Sequence, residues 1–381
     1  MMANLFFACI LGFFMITNGE FKFWDHCFQS RINCGLGQGL VTFGSGYAPN
    51  KSKWYIVGGS GIQPSRNVLE IGLPTSFKND SFTCDTVYPE QLPQAFSQNE
   101  AAVFDDVLYS FGGVNTSFSY IDNVYKSNIN TQSAFENSLP AAPFDFSAAC
   151  SVTTDDSIYI IGGLSPEIET TTQLPAIETL LKYNATANEW TQLASMSISR
   201  FAPGCVIHNN KIYVFGGEDK DLNELNTIEI YDISTDMWTL SNTTLTYNAH
   251  WITSAYINAV ERHLALIMGG IAGFTPDFST IDVYDIDLDA IIDTVSLPRK
   301  RYAFRAITPY HGNWERNIVL FAGGKSISTV YNSIDYIQCQ VTKAPTVSPV
   351  AIPDSSASFP VTISMCNFFF YGFILFFTIM L

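Results

Sequence analysis

This chain is short of positive charge: 19 Lys and Arg stand against 35 Asp and Glu in 381 residues, a formal balance of −16. Such a composition repels a polyphosphate backbone and excludes nucleic acid as a partner. Histidine is also sparse, with five residues and no two at zinc-binding spacing. There is no G-x-S-x-G elbow, no phosphate-cradling glycine loop and no Cys-x-x-Cys, so no catalytic residue and no cofactor is indicated. Charged residues make up only 14% of the chain, whereas 47% are hydrophobic, including 30 Phe and 18 Tyr. That balance excludes a disordered chain and supplies ample core. Length alone suggests two or three domains at ~150 residues each, but closed all-β architectures run longer as single units.

Both ends are apolar. Leu5 to Ile16 followed by Thr17, Asn18 and Gly19 reads as a secretory signal peptide over residues 1–19, although no Lys or Arg precedes the stretch. Phe359 to Leu381 carries no charge and runs to the last residue. Small residues Ser355 and Ser356, a moderately polar spacer and a hydrophobic tail follow the order of a GPI-attachment signal. A permanent span is the alternative, since ~20 residues suffice to cross a bilayer. No Lys or Arg follows to hold a cytoplasmic side, which favours the lipid anchor. Residues 341–358, with Pro345, Pro349 and Pro353 among Thr and Ser, read as a stalk. The resulting location is the secretory pathway, on the outer face of the plasma membrane or in another endomembrane lumen.

The body, residues 20–340, repeats. Glycine pairs occur at Gly58, Gly112, Gly162, Gly216, Gly269 and Gly323, separated by 54, 50, 54, 53 and 54 residues. Chance at ~7% Gly would give about two pairs with no period. Each pair ends a short buried strand, as in Trp54-Tyr-Ile-Val and Ile212-Tyr-Val-Phe. Tyr183 to Trp190 and Tyr231 to Trp238 span the same seven residues, which a hairpin turn built on Asn188 or Asp236 would place on adjacent strands.

These residues resemble the Kelch family of β-propellers, most fully in Met196, Arg200, Gly204, Gly216-Gly217, Tyr231 and Trp238. Gln132 and Ile291 stand where the pattern has Trp, and the first repeat lacks the Tyr. The resemblance implies an all-β, six-bladed propeller of four-stranded antiparallel blades. The last repeat lacks its Trp strand, and Phe21 to Asp25 is expected to complete it beside Tyr336, so that an N-terminal strand closes the ring.

Excluding Cys9 and Cys366 in the removable ends, six cysteines remain in a secreted context, with 15 possible connectivities. Cys150 and Cys205 occupy equivalent positions and form either a disulfide or two buried thiols. Cys27, Cys34, Cys84 and Cys339 lie near the seam, where a cross-link would reinforce closure. Sequons at Asn50, Asn79, Asn115, Asn184 and Asn242 fall in segments read as loops and fit a glycosylated surface. Asp219, Asp221 and Asn223 resemble the start of a calcium loop without its Gly or Glu; a solvated turn is the favoured reading.

In a four-stranded meander, the loops after the glycine pairs share one face with those entering the next inner strand. That face gathers Arg31, Arg66, Arg200 and Arg301 with Tyr120 and Phe274. The resemblance makes it a binding face, and arginines grip carboxylates of an acidic peptide or sialic acid bidentately. The alternative is that these arginines pair with the acidic surface. The leading expectation is a membrane-anchored extracellular module that binds protein or glycan and catalyses nothing. The rival is a sugar-processing enzyme, such as a sialic-acid mutarotase-like activity, in the channel.

Overall fold

Each glycine pair marks the end of a strand buried on both sides, and those strands organise the molecule. In Lys53–Val57, Trp54 packs toward one neighbouring sheet and Tyr55 toward the other, both fully buried. An uninterrupted apolar run is what two covered faces require. The structure is a computed structural model that describes residue 23 and residues 27–36, 40–60, 63–73, 83–137, 139–166, 174–259, 262–273, 278–309, 317–339, 369–370 and 373–374. The expected signal peptide and stalk, Asn79, Phe274, Ser355, Ser356 and all but four residues of the apolar C-terminal tail lie outside them.

The chain divides into two units, residues 1–342 and 343–381. In the second, Phe369–Phe370 pairs with Phe373–Ile374. Among the described residues, no helix is long and apolar enough to cross a membrane.

The first unit holds antiparallel sheets in chain order. Sheet 1 contains Gly44–Ala48, Lys53–Val57, Val68–Gly72 and Thr83–Val87. Sheet 2 has Glu100–Phe104, Val107–Phe111 and Val124–Asn128. Sheet 3 runs Cys150–Thr153, Ser157–Ile161, Leu180–Asn184 and Glu189–Gln192; sheet 4 runs Gly204–His208, Lys211–Phe215, Thr227–Asp232 and Met237–Thr244. Sheet 5 comprises Thr253–Ala259, Arg262–Met268, Thr280–Asp285 and Ala290–Ser296. Sheet 6 comprises Arg305–Ile307, Ile318–Ala322, Ser333–Cys339 and, from the other end of the chain, Cys27–Gly35.

Two expectations need correction. Among the described residues sheet 2 has three strands: the segment that should be its fourth forms no ladder with Val124–Asn128 and meets it at the Lys126–Glu136 bridge and at Ser133, which exchanges hydrogen bonds with Asn128. Pro140 and Pro143 supply no N–H to a ladder there, and Gln132, where Trp falls elsewhere, sits at a left-handed turn position with φ 50°. The strand that completes sheet 6 is Cys27–Gly35, with Ser30 opposite Tyr336, rather than Phe21 to Asp25. Cys27 faces Cys339 and is disulfide-bonded to it, which fixes that register. Of the expected segment only Phe23 is described; it is buried and its N–H donates to Asp293 Oδ2.

A hydrophobic cluster fills each interface between successive sheets, and one joins sheet 6 to sheet 1 through Leu320, Ile334, Phe43 and Trp54. The backbone repeats one contact six times. The second glycine of each pair donates its N–H across an interface: Gly59 to Phe96 O, Gly113 to Phe146 O, Gly163 to Arg200 O, Gly217 to Ala249 O, Gly270 to Arg301 O and Gly324 to Leu40 O, at 2.7–3.1 Å. At Gly162 and Gly269, a Cβ would run into the carbonyl oxygens of Arg200 and Arg301, and both residues have positive φ, so the interface selects glycine.

Candidate functional site

Two of the loops after the glycine pairs, those of sheets 2 and 4, are built on a common frame. In sheet 2, Asn115 Oδ1 accepts the N–H groups of Ser117 and Ser119; in sheet 4, Asp219 Oδ1 accepts those of Asp221 and Asn223. Each frame forces the residue at its tip into the left-handed region: Phe118 at φ 61° and Leu222 at φ 66°. Their side chains are 85% and 57% exposed, and Ile327 at the tip of the sheet 6 loop is 67% exposed. Three alternate sheets therefore hold out an apolar side chain at the same edge, where water is displaced at little ordering cost.

Arg200 and Arg301 are not available on that face. Arg200 is fully buried and spends all its N–H groups: on Glu229 Oε1 at 3.0 and 3.3 Å, on Gly216 O, on Thr227 O and on Thr227 Oγ1. Arg301 donates to Asp335 at 2.6 Å beneath the rings of Phe321 and Tyr331, and Arg299 shares that carboxylate. A guanidinium pulled into a sheet needs a carboxylate pulled in with it, so both arginines brace the loop that enters the next sheet. Arg31 lies in strand Cys27–Gly35 opposite Asp335, not in a loop. Arg66 is exposed, its Nε donating to Leu92 O at 2.6 Å, and Tyr120 is half-buried, with burial pushing its phenol up.

The calcium-like segment folds as a turn: Asp219 is spent on backbone N–H groups and on the Asn223 amide, a donor that a cation would repel. Asn50 lies in a single 3-10 turn, whereas Asn115 ends the two-residue strand Val114–Asn115, Asn184 ends a strand and Asn242 sits exposed within Met237–Thr244, so these three are not in loops as expected.

A cavity of about 390 Å³ is lined by the first strands of all six sheets, including Tyr47, Glu100, Ser151, Cys205, Tyr256 and Arg305. Glu100 is buried, ion-paired with Arg305 and hydrogen-bonded by Ser151 Oγ at 2.8 Å. Burial pushes its carboxyl up, against the pull of Arg305 and Ser151. The Cys150–Cys205 disulfide joins sheets 3 and 4 along the wall, resolving the choice between a bond and two thiols.

One cluster has no signature in the sequence. Glu218 and Glu224, from the loop after Gly217, meet His250, which precedes the first strand of sheet 5; one donor atom from each lies within 4.8 Å of the others. Their separation along the chain hides them, and only the fold of the two loops brings them together.

The family described as Attractin/LZTR1 beta-propeller matches residues 50–277. Kelch-like protein terF of Aspergillus terreus is 23% identical over 249 residues, covering 61% of this chain and 50% of that protein. Kelch repeat and BTB domain-containing protein 1 of horsepox virus is 38% identical over 101 residues, 26% of this chain and 17% of that protein. Alpha-scruin of Limulus polyphemus is 26% identical over 221 residues, covering 56% and 23%. The chain thus spans half or less of the length of these relatives. A solved structure titled "Structure of YjhT" superposes with a TM-score of 0.62 at 14% identity, over 81% of this chain and 99% of that one, a likeness of fold alone.

Proposed function

The chain belongs to the Attractin/LZTR1 β-propeller family of Kelch-repeat proteins, and on that premise we propose that it is a membrane-anchored, extracellular propeller of six blades that binds protein through its glycine-pair loop face. The six equivalent glycine N–H bonds, the last returning from Gly324 to Leu40, support a closed ring, as does the core shared by sheets 6 and 1. Kelch propellers generally bind proteins. The observation that carries the reading is the trio Phe118, Leu222 and Ile327, exposed apolar tips on alternate sheets. Apolar anchors spaced around a polar rim suit a protein surface better than a glycan, which asks for more hydrogen-bonding groups. The outer-leaflet location and lipid anchor rest on the apolar chain ends.

The test displays the full-length chain on cells and screens it against an array of purified extracellular proteins. A hit should weaken at least tenfold with Phe118→Ser, Leu222→Ser and Ile327→Ser combined, at unchanged surface level. Undiminished binding by the triple variant would overturn the loop face. Release by a phosphatidylinositol-specific phospholipase separates lipid anchor from span. A second reading rests on Glu100: a buried carboxyl beside an arginine in a cavity of ligand size is acid–base equipment for a sugar ring. Turnover of a free sugar that Glu100→Gln abolishes would favour it.

A further inference from the structure

We propose that Glu218, Glu224 and His250 bind a single divalent ion of the zinc class, clipping the glycine-pair loop of sheet 4 to the loop that enters sheet 5. The inference is independent of the binding partner proposed above. Three observations carry it. First, His250 Nδ1 is buried and has no hydrogen-bond partner, yet it points at Glu218 Oε2 from 3.3 Å. Zinc at ~2.0–2.1 Å from each ligand in tetrahedral geometry sets ligand atoms about 3.3–3.5 Å apart, so this pair already stands at the edge length of a coordination tetrahedron. Second, Glu224 completes three donors within 4.8 Å, and its Oε1 is fixed by the N–H of Gly273, an outer contact that orients a ligating carboxylate. Third, the backbone beneath the ligands is pinned: Glu218 exchanges hydrogen bonds with Phe201, and His250 with Ile271, while the Phe201 ring packs against the imidazole at 5.0 Å.

The donor set, two carboxylates and one imidazole, selects the kind of cation. One imidazole and two carboxylates suit zinc, with water in the fourth position; calcium takes six to eight oxygens and is a poor match.

The experiment takes the untagged full-length chain in detergent micelles, strips it with a chelator, and adds zinc alone by equilibrium dialysis. One ion per chain is expected, with His250→Ala and Glu224→Gln each weakening binding at least tenfold and His263→Ala leaving it unchanged. Cobalt in place of zinc should give the intense visible absorption of a four-coordinate site. Absence of stoichiometric zinc, or wild-type affinity in both His250→Ala and Glu224→Gln, would overturn the assignment. Should His250→Ala lose its near-ultraviolet circular dichroism, Glu224→Gln decides, because its amide oxygen still accepts the Gly273 N–H.

Discussion

Glu100 illustrates what one buried charge does to the whole molecule. The residue is 3% exposed in the cavity wall, and burial raises the proton affinity of its carboxyl above the ordinary value of 4.5 despite Arg305 and Ser151. Between that ordinary value and the raised one, the folded chain holds more proton than the unfolded chain, so stability contributed at this site falls as pH rises through the window. The slope has a ceiling of about 1.4 kcal/mol per pH unit, one proton's worth. Glu100→Gln removes the titration, so urea unfolding from pH 4 upward should show wild type losing stability relative to the variant until the window closes. A difference that is flat or of opposite sign would mean that Arg305 holds the carboxylate ionised throughout. The buried arginines follow the same rule from the other side, and here the sequence did hold a signal. Glu229, Asp282 and Asp335 each sit at the third position of the third strand of a sheet, Thr-Ile-Glu, Thr-Ile-Asp and Ser-Ile-Asp, between two apolar neighbours or an Ile and a Tyr, and all three are buried. An acid in such a strand announces a buried donor. Arg200 and Arg301 answer two of them, and Thr246 with Thr294 answers Asp282.

Hairpins between the third and fourth strands are where local chemistry and element geometry coincide. The turn residues Asn188, Asp236 and Asp289 all have positive φ, and each accepts a hydrogen bond from the Tyr five residues earlier, at 2.6 or 2.7 Å. Tyr183 lies opposite Trp190 and Tyr231 opposite Trp238, with ring centroids 5.0 Å apart in both pairs. Asp236 Oδ1 also accepts the N–H of Ala194 from sheet 3, while Trp238 Nε1 donates to Ala194 O. One turn thus fixes a strand reversal, an aromatic pair and an interface. Tyr231→Phe removes one hydrogen bond and should cost about 1 kcal/mol. Asp236→Ala removes two and leaves a residue with no local hydrogen bond in the left-handed region, for about 2–3 kcal/mol in total. Asp236→Asn should cost almost nothing, because sheet 3 already uses Asn there. Equal losses for Asp236→Ala and Tyr231→Phe in urea titrations would refute the turn's role. This element was readable in advance because seven residues and two side chains define it. The fourth strand of sheet 2 was not, since Gln132 in place of Trp marks a weakened blade without showing that the ladder is lost. Nor was the Glu218, Glu224 and His250 cluster, whose members belong to different repeats.

Across the whole molecule, the decisive question is how the two ends of the repeat array are joined. Five interfaces link sheets consecutive in sequence, so the chain itself keeps them near one another. The interface between sheets 6 and 1 has no such help beyond the segment that leads from Cys27–Gly35 into sheet 1. Strand Cys27–Gly35 supplies it by crossing from the start of the chain to pair with Ser333–Cys339, and the Cys27–Cys339 bond locks residues 312 apart in sequence. If the ring is closed as proposed, that bond removes far more freedom from the unfolded chain than Cys150–Cys205, whose partners are 55 apart. The logarithmic dependence on loop length makes the difference about 1.5 kcal/mol in favour of the terminal bond, within a total of roughly 4–6 kcal/mol for each. Two double variants measure it, Cys27→Ser with Cys339→Ser and Cys150→Ser with Cys205→Ser, unfolded in guanidinium under non-reducing conditions. The first should lose more stability and should also broaden the transition, because freeing strand Cys27–Gly35 lets sheet 6 fray before the other interfaces part. If the second pair proves the costlier, the terminal disulfide is not what holds sheet 6 to sheet 1, and that contact rests on the apolar cluster around Phe43, Trp54 and Leu320 with the hydrogen bond from Gly324 to Leu40 O.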